Sequence, residues 1–129
     1  MKTLSFVLLL LVSLPLSAAD LSITSWGGEY QDAQREVLFK PFAEASEKTF
    51  TENVYDGGLD EIEAQLKKEK AEWDVVEVDA ADLIRGCENR YFDVLNWQKV
   101  GQRSEFMSGT THNCGVGSVI WAMVLAYND

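Results

Sequence analysis

Leu21-Ser22-Ile23-Thr24-Ser25-Trp26 alternates apolar and polar side chains, and that period predicts a half-buried β-strand stopped by Gly27-Gly28. Tyr30, Ala33, Gln34, Val37, Leu38, Pro41, Phe42 and Ala45 then recur at helical spacing. The pattern predicts a long amphipathic helix divided at Pro41, with Lys40 as the last residue of its first piece. Thr49 to Tyr55, rich in β-branched and aromatic residues, reads as a second strand. Asp56-Gly57-Gly58 turns the chain into a helix with Leu59, Ile62 and Leu66 as its buried stripe and Glu63 placed to pair with Lys67. Asp74 to Val78 is a third strand, and Asp79 or Asp82 caps a third helix running to about Arg85 or Cys87.

Strand and helix alternating three times make a βαβαβ unit, whose consequence is parallel pairing with right-handed crossovers. Beyond Arg90 the periodicity loosens, and 91–97 reads as irregular structure over the sheet edge. Cys114 to Tyr127 turns strongly apolar and reads as one or two extended strands.

A parallel α/β sheet binds ligands beyond the carboxyl ends of its strands. Three segments converge there: the loop holding Trp26, Gly27, Glu29 and Tyr30, the turn holding Tyr55 and Asp56, and the segment from Asp79 to Asp82. The predicted mouth therefore carries aromatic rings, four carboxylates and no Lys or Arg. Carboxylates form charge-assisted hydrogen bonds to a cation and ring faces attract ammonium groups, so the mouth suits a small organic cation. Each residue also has a plainer role, as turn glycine, helix cap or core ring.

The first 19 residues, Met1 to Ala19, have the features of an export leader: Lys2, an apolar core from Leu4 to Val12, Pro15, and small residues Ser17-Ala18-Ala19 before a polar start at Asp20. Cleavage after Ala19 leaves residues 20–129 as an exported, soluble protein with no membrane insertion; an uncleaved anchor is the alternative. The net charge of −10 argues against nucleic acid or anionic membrane as partner, since both demand clustered basic residues. Cys87 and Cys114 in an exported chain favour a disulfide, closing a loop of about 27 residues worth roughly 3 kcal/mol, over two separate thiols.

Other chemistry finds little support. With His112 as the single histidine, a multi-histidine metal site is excluded and no cofactor is expected. A Cys114–His112 nucleophilic pair lacks an orienting acid, and Gly115-Val116-Gly117-Ser118 lacks the ending of a phosphate loop.

Three segments together resemble the bacterial periplasmic solute-binding proteins of ABC importers, in the spermidine/putrescine-binding subgroup: Ser25-Trp26-Gly27-Gly28-Glu29-Tyr30-Gln31, Tyr55-Asp56-Gly57-Gly58, and Trp73 through Leu83. Cys114 to Gly117, Trp121 and Leu125-Ala126-Tyr127 continue the likeness. The resemblance implies a type II periplasmic-binding-protein lobe, mostly parallel sheet with flanking helices, here the first lobe of two and a fragment of the whole. It implies a non-catalytic monomer that binds a polyamine in an interlobe cleft and delivers it to an inner-membrane ABC permease. Asp79-Ala80-Ala81 departs from the Ser/Thr and Tyr frequent in polyamine binders, and Ser46 to Phe50 lacks the family's helix-ending glycine, which predicts a blurred helix end. The alternatives are a binder of an amino acid or sugar derivative, a secreted enzyme, or a self-contained interaction domain.

Overall fold

The computed structural model describes residues 21–127. The leader and its cleavage point lie outside the described residues. Strand β1 (Leu21–Ser25) is followed by helix α1 (Gly28–Gln34), a π-helical turn (Arg35–Phe39) and helix α2 (Lys40–Ser46). Strand β2 (Phe50–Val54), helix α3 (Leu59–Leu66), strand β3 (Val75–Val76) and helix α4 (Ala80–Glu88) come next, then the short helix α5 (Trp97–Val100) and a 3₁₀ turn (Arg103–Glu105). The sheet has the order β2-β1-β3 with both pairings parallel, the βαβαβ arrangement the sequence predicts.

β1 lies at the centre because both crossovers return the chain beside it, Leu21 opposite Phe50 and Ile23 opposite Val75. Its burial differs from simple alternation. Ser22, Thr24 and Ser25 are the buried residues, while Leu21 and Ile23 are half-buried. A central parallel strand is covered on both faces, so polar side chains there need partners inside. Ser22 has one, donating from Oγ to the Glu72 carbonyl at 2.5 Å, whereas the fully buried Thr24 Oγ1 has none among the described residues.

The third strand is shorter than the predicted Asp74–Val78. At its entry the Asp74 carboxylate takes the Ser22 N–H at 2.8 Å, while the Asp74 N–H donates to Ser22 Oγ at 2.8 Å. This reciprocal pair occupies groups that would otherwise extend the ladder. At the exit, Glu77 N–H still donates to the Thr24 carbonyl at 2.9 Å.

Pro41 divides the first helical stretch differently from expectation. Lys40 opens the second piece instead of closing the first, and the adjustment lies ahead of it, in the π turn over Arg35–Phe39. Proline lacks the N–H for an i−4 bond and its ring crowds that carbonyl; a widened turn absorbs both while the axis continues. The turn buries Phe39, whose ring meets Phe50 at 6.4 Å, with Phe42 at 5.5 Å from the same ring. The end of α2 is sharp, not blurred. Glu47 takes the left-handed conformation (φ 55°) that glycine usually supplies there.

Asp79 is the cap of α4, its carboxylate accepting the Asp82 N–H at 2.8 Å; Asp82 sits one turn inside. Cys87, in the last turn of α4, is joined to Cys114 by a disulfide with Cα atoms 5.9 Å apart. Cys114 occupies a tight reversal closed by the Thr111–Val116 bridge and a His112 N–H to Gly115 carbonyl bond at 2.9 Å. A Cβ at Gly115 would stand 2.7 Å from Leu83, so the reversal meets α4 this closely only with glycine there.

In the C-terminal third one expectation holds and one is corrected. Residues 91–96 are irregular, as expected, and only Trp97 enters a helix. They lead into α5, where Trp97 packs on Phe106 (5.8 Å) under the Arg103 guanidinium (4.2 Å), and Leu95 N–H donates to the Asn113 carbonyl at 2.8 Å. The apolar run, by contrast, does not form strands: among the described residues, 117–127 joins no ladder. Met123, Val124, Leu125 and Tyr127 are all more than four-fifths exposed. β propensity reports how well a side chain fits a pleated surface beside a partner strand, and this run has no such partner.

Candidate functional site

The three loops at the carboxyl end of the sheet enclose a cavity of about 530 Å³. Trp26 and Tyr30 form one wall, stacked with ring centroids 5.6 Å apart and planes 29° from parallel. Tyr55 and Asp56 arrive from β2, with Gly57 and Gly58 behind them, and Asp79 and Asp82 arrive from the start of α4. Val119 and Trp121 complete the lining. Of the eight residues predicted for the mouth, six line this hollow. Gly27 and Glu29 do not: Gly27 turns the chain away with φ 74°, its N–H held by Gln31 Oε1 at 3.0 Å, and Glu29 faces outward in the first turn of α1.

Lys and Arg are absent from the lining, so the local field is set by carboxylates. They are not equivalent. Asp82 is 5% exposed and paired with the Arg85 guanidinium, which neutralises it. Asp79 spends one oxygen on its cap and is otherwise exposed. Asp56 is exposed and makes no ion pair among the described residues. Asp56 and Asp79 are therefore the carboxylates free to meet a cation.

The phenols are held neutral. Burial pushes the Tyr55 hydroxyl up to about 12, with the negative Asp82, Glu77 and Asp79 adding to the shift and the Trp26 indole opposing it. That hydroxyl donates to the Glu77 carbonyl, and the ring meets Trp73 edge-on at 5.4 Å. Tyr30 is also raised, by burial and by its bond to Glu77, whose Oε1 accepts the phenol at 2.9 Å. The hollow thus presents ring faces and unpaired carboxylates, a set suited to hold and orient a cation.

Sequence reasoning missed Val119, Trp121 and Glu77 as parts of this site. Trp121 was hidden by its apolar neighbours, which predict sheet. Glu77 was read only as a strand residue. Its signal, a carboxylate at the carboxyl end of the third strand, becomes visible only when Tyr30 is brought beside it.

His112 lies with Cys87 and Cys114 so that their ligand atoms fall within 4.8 Å of one another. The two sulfurs are bonded to each other, so in this form they offer neither a thiolate nucleophile nor a metal ligand.

No family model matches the chain. A gamma-aminobutyric acid-binding protein of Pseudomonas aeruginosa is 35% identical over 109 residues, which is 84% of this chain and 31% of that protein. The PBP MotA of A. tumefaciens B6, solved in complex with glucopine, superposes with a TM-score of 0.67 at 25% identity over 74% of this chain and 29% of its own. An ABC transporter substrate-binding protein from Bradyrhizobium japonicum USDA 110 gives 0.69 at 24% identity, over 74% and 30%, and speaks for the fold alone. The chain spans about a third of the length of the relatives it matches. Its homologues are periplasmic solute-binding proteins, not enzymes, and its small parallel sheet with flanking helices is the periplasmic-binding-protein fold.

Proposed function

We propose that this chain forms part of a periplasmic solute-binding protein of an ABC importer, taking a small solute with a protonated amine into the hollow at the carboxyl end of its sheet. The observation that carries the reading is the lining: four aromatic rings and two unpaired carboxylates without one basic side chain. Cation–π contacts are worth roughly 0.5–2 kcal/mol each, and a charge-assisted hydrogen bond adds roughly 1.5–3 kcal/mol. Asp79 and Asp56 accept hydrogen bonds from ammonium groups, and the ring faces of Trp26 and Tyr30 cover the cation. Binding is non-catalytic, and a membrane permease receives the solute. Polyamines of the putrescine and spermidine type offer an ammonium group to each of the two carboxylates. An amino acid is the second reading, favoured by the likeness to a gamma-aminobutyric acid-binding protein.

Calorimetric titration of the chain with putrescine, spermidine, gamma-aminobutyric acid and a neutral sugar tests both. An amine is expected to bind and the sugar to fail, with Asp79→Ala weakening the amine by about tenfold or more. Tighter binding of the diamines selects the polyamine; tighter binding of gamma-aminobutyric acid selects the amino acid. Silence toward every amine, or an Asp79→Ala variant that binds as well as the parent, sinks the proposal.

A further inference from the structure

We propose that Glu77 is the positioning residue of this hollow: it meets no solute, and it fixes Tyr30 and the 118–121 wall in the geometry that binds one. The inference rests on the solute-binding reading above.

Glu77 does not line the cavity, yet three of the cavity's walls end on it. Its N–H continues the sheet to the Thr24 carbonyl at 2.9 Å, which fixes its backbone, and its own carbonyl accepts the Tyr55 hydroxyl. Its Oε1 accepts the Tyr30 hydroxyl at 2.9 Å and Ser118 Oγ at 2.5 Å. Its Oε2 accepts Gln34 Nε2 at 3.0 Å, and Gln34 is set in turn by the buried Ser25, whose Oγ donates to Gln34 Oε1 at 2.7 Å. All of these donors are neutral. The carboxylate serves as a hub of charge-assisted hydrogen bonds, not as half of an ion pair.

The geometry follows from those tethers. Tied to Glu77, and to Gln34 Nε2 at 3.2 Å, which Glu77 itself holds, the Tyr30 hydroxyl keeps its ring stacked on Trp26. The 118–127 segment has no ladder to hold it, and Ser118 binds it to the sheet immediately before Val119 and Trp121, both of which line the hollow. Removing the acceptor releases both walls together.

The test uses the ¹⁵N-labelled chain, with the indole N–H signals of Trp26 and Trp121 assigned through Trp26→Phe and Trp121→Phe, beside calorimetry with putrescine and gamma-aminobutyric acid. Glu77→Ala is expected to move both indole signals and weaken the amine about tenfold or more. Glu77→Gln keeps both contacts at Oε1 and gives up the third, because a turned Gln34 amide would lose its bond from Ser25, so it is expected to stay within about threefold of the parent. A folded Glu77→Ala with unmoved indoles and full affinity overturns the proposal. So does a Glu77→Gln that loses as much as Glu77→Ala, because that result assigns the role to charge. Should Glu77→Ala fail to fold, Tyr30→Phe and Ser118→Ala decide: each must move its own neighbouring indole, Trp26 or Trp121. If the parent binds no amine, the solute reading falls alone, and the indole signals still judge Glu77.

Discussion

The carboxyl end of the sheet and the run 119–127 handle side chains in opposite ways. At the sheet end, buried and half-buried polar groups are bonded to one another: Ser25, Gln34, Tyr30 and Glu77 form one connected chain. Along 119–127, apolar groups stand in water, Leu125 at 94% exposure. Hydropathy alone ranks the second region as core and the first as surface. The difference shows that placement depends on having a partner: a buried polar group with answered hydrogen bonds is stable, and an apolar run without a facing surface gains nothing from its composition.

The strongest way to break the comparison is to cut the disulfide that ties the last turn of α4 to the reversal leading into the apolar run. Replacing Cys87 and Cys114 together by serine opens a loop of sequence separation 27, and unfolding in denaturant is expected to show a loss of roughly 3 kcal/mol. A change below about 0.5 kcal/mol, the size of a neutral surface substitution, contradicts a tethering role.

Alkaline pH probes the sheet end next. The folded Tyr55 phenol, at about 12, lies above its ordinary value of 10.0. A raised value means that the stabilisation is fully present below the unfolded value, about pH 10, and is lost as pH rises through about 12. The loss attributable to Tyr55 is on the order of 2–3 kcal/mol at its full extent. Tyr30 and Tyr91 shift in the same direction, so Tyr55→Phe isolates the contribution. That variant should show a flatter stability profile between pH 10 and 12, and an identical slope would refute the assignment.

Gly27→Ala sharpens the comparison locally. The backbone there has φ 74°, and a Cβ would stand 2.9 Å from Val54 Cγ1. Thermal unfolding is expected to report a cost of about 2 kcal/mol; an unchanged midpoint would mean that the turn relaxes freely. Smallest of all is Leu125→Asp. At a fully hydrated site it should alter stability by less than about 0.5 kcal/mol, and a larger loss would show the run to be covered.

Much of the architecture was legible because local rules and the global fold agree. Periodicity placed β1, the helix of Ile62 and the cap at Asp79, and the topology rule gathered Trp26, Tyr30, Tyr55, Asp56, Asp79 and Asp82 at one edge. The failures share a cause. The start of β3 depends on Ser22 meeting Asp74 across 52 residues, and the wall at Trp121 depends on Ser118 meeting Glu77 across 41. Neither encounter has a local signature. Gly27 and Glu29 were misplaced for a simpler reason: a loop at the right edge turns some of its residues outward.

Glu47 bears on how this chain can change. A charged residue occupies a backbone state that costs an ordinary side chain about 1 kcal/mol, remote from the mouth and with no role in it. A single step to glycine there would recover that amount without touching recognition. The strain is therefore a reserve that one substitution releases, enough to offset one mildly harmful change among the rings and acids of the mouth.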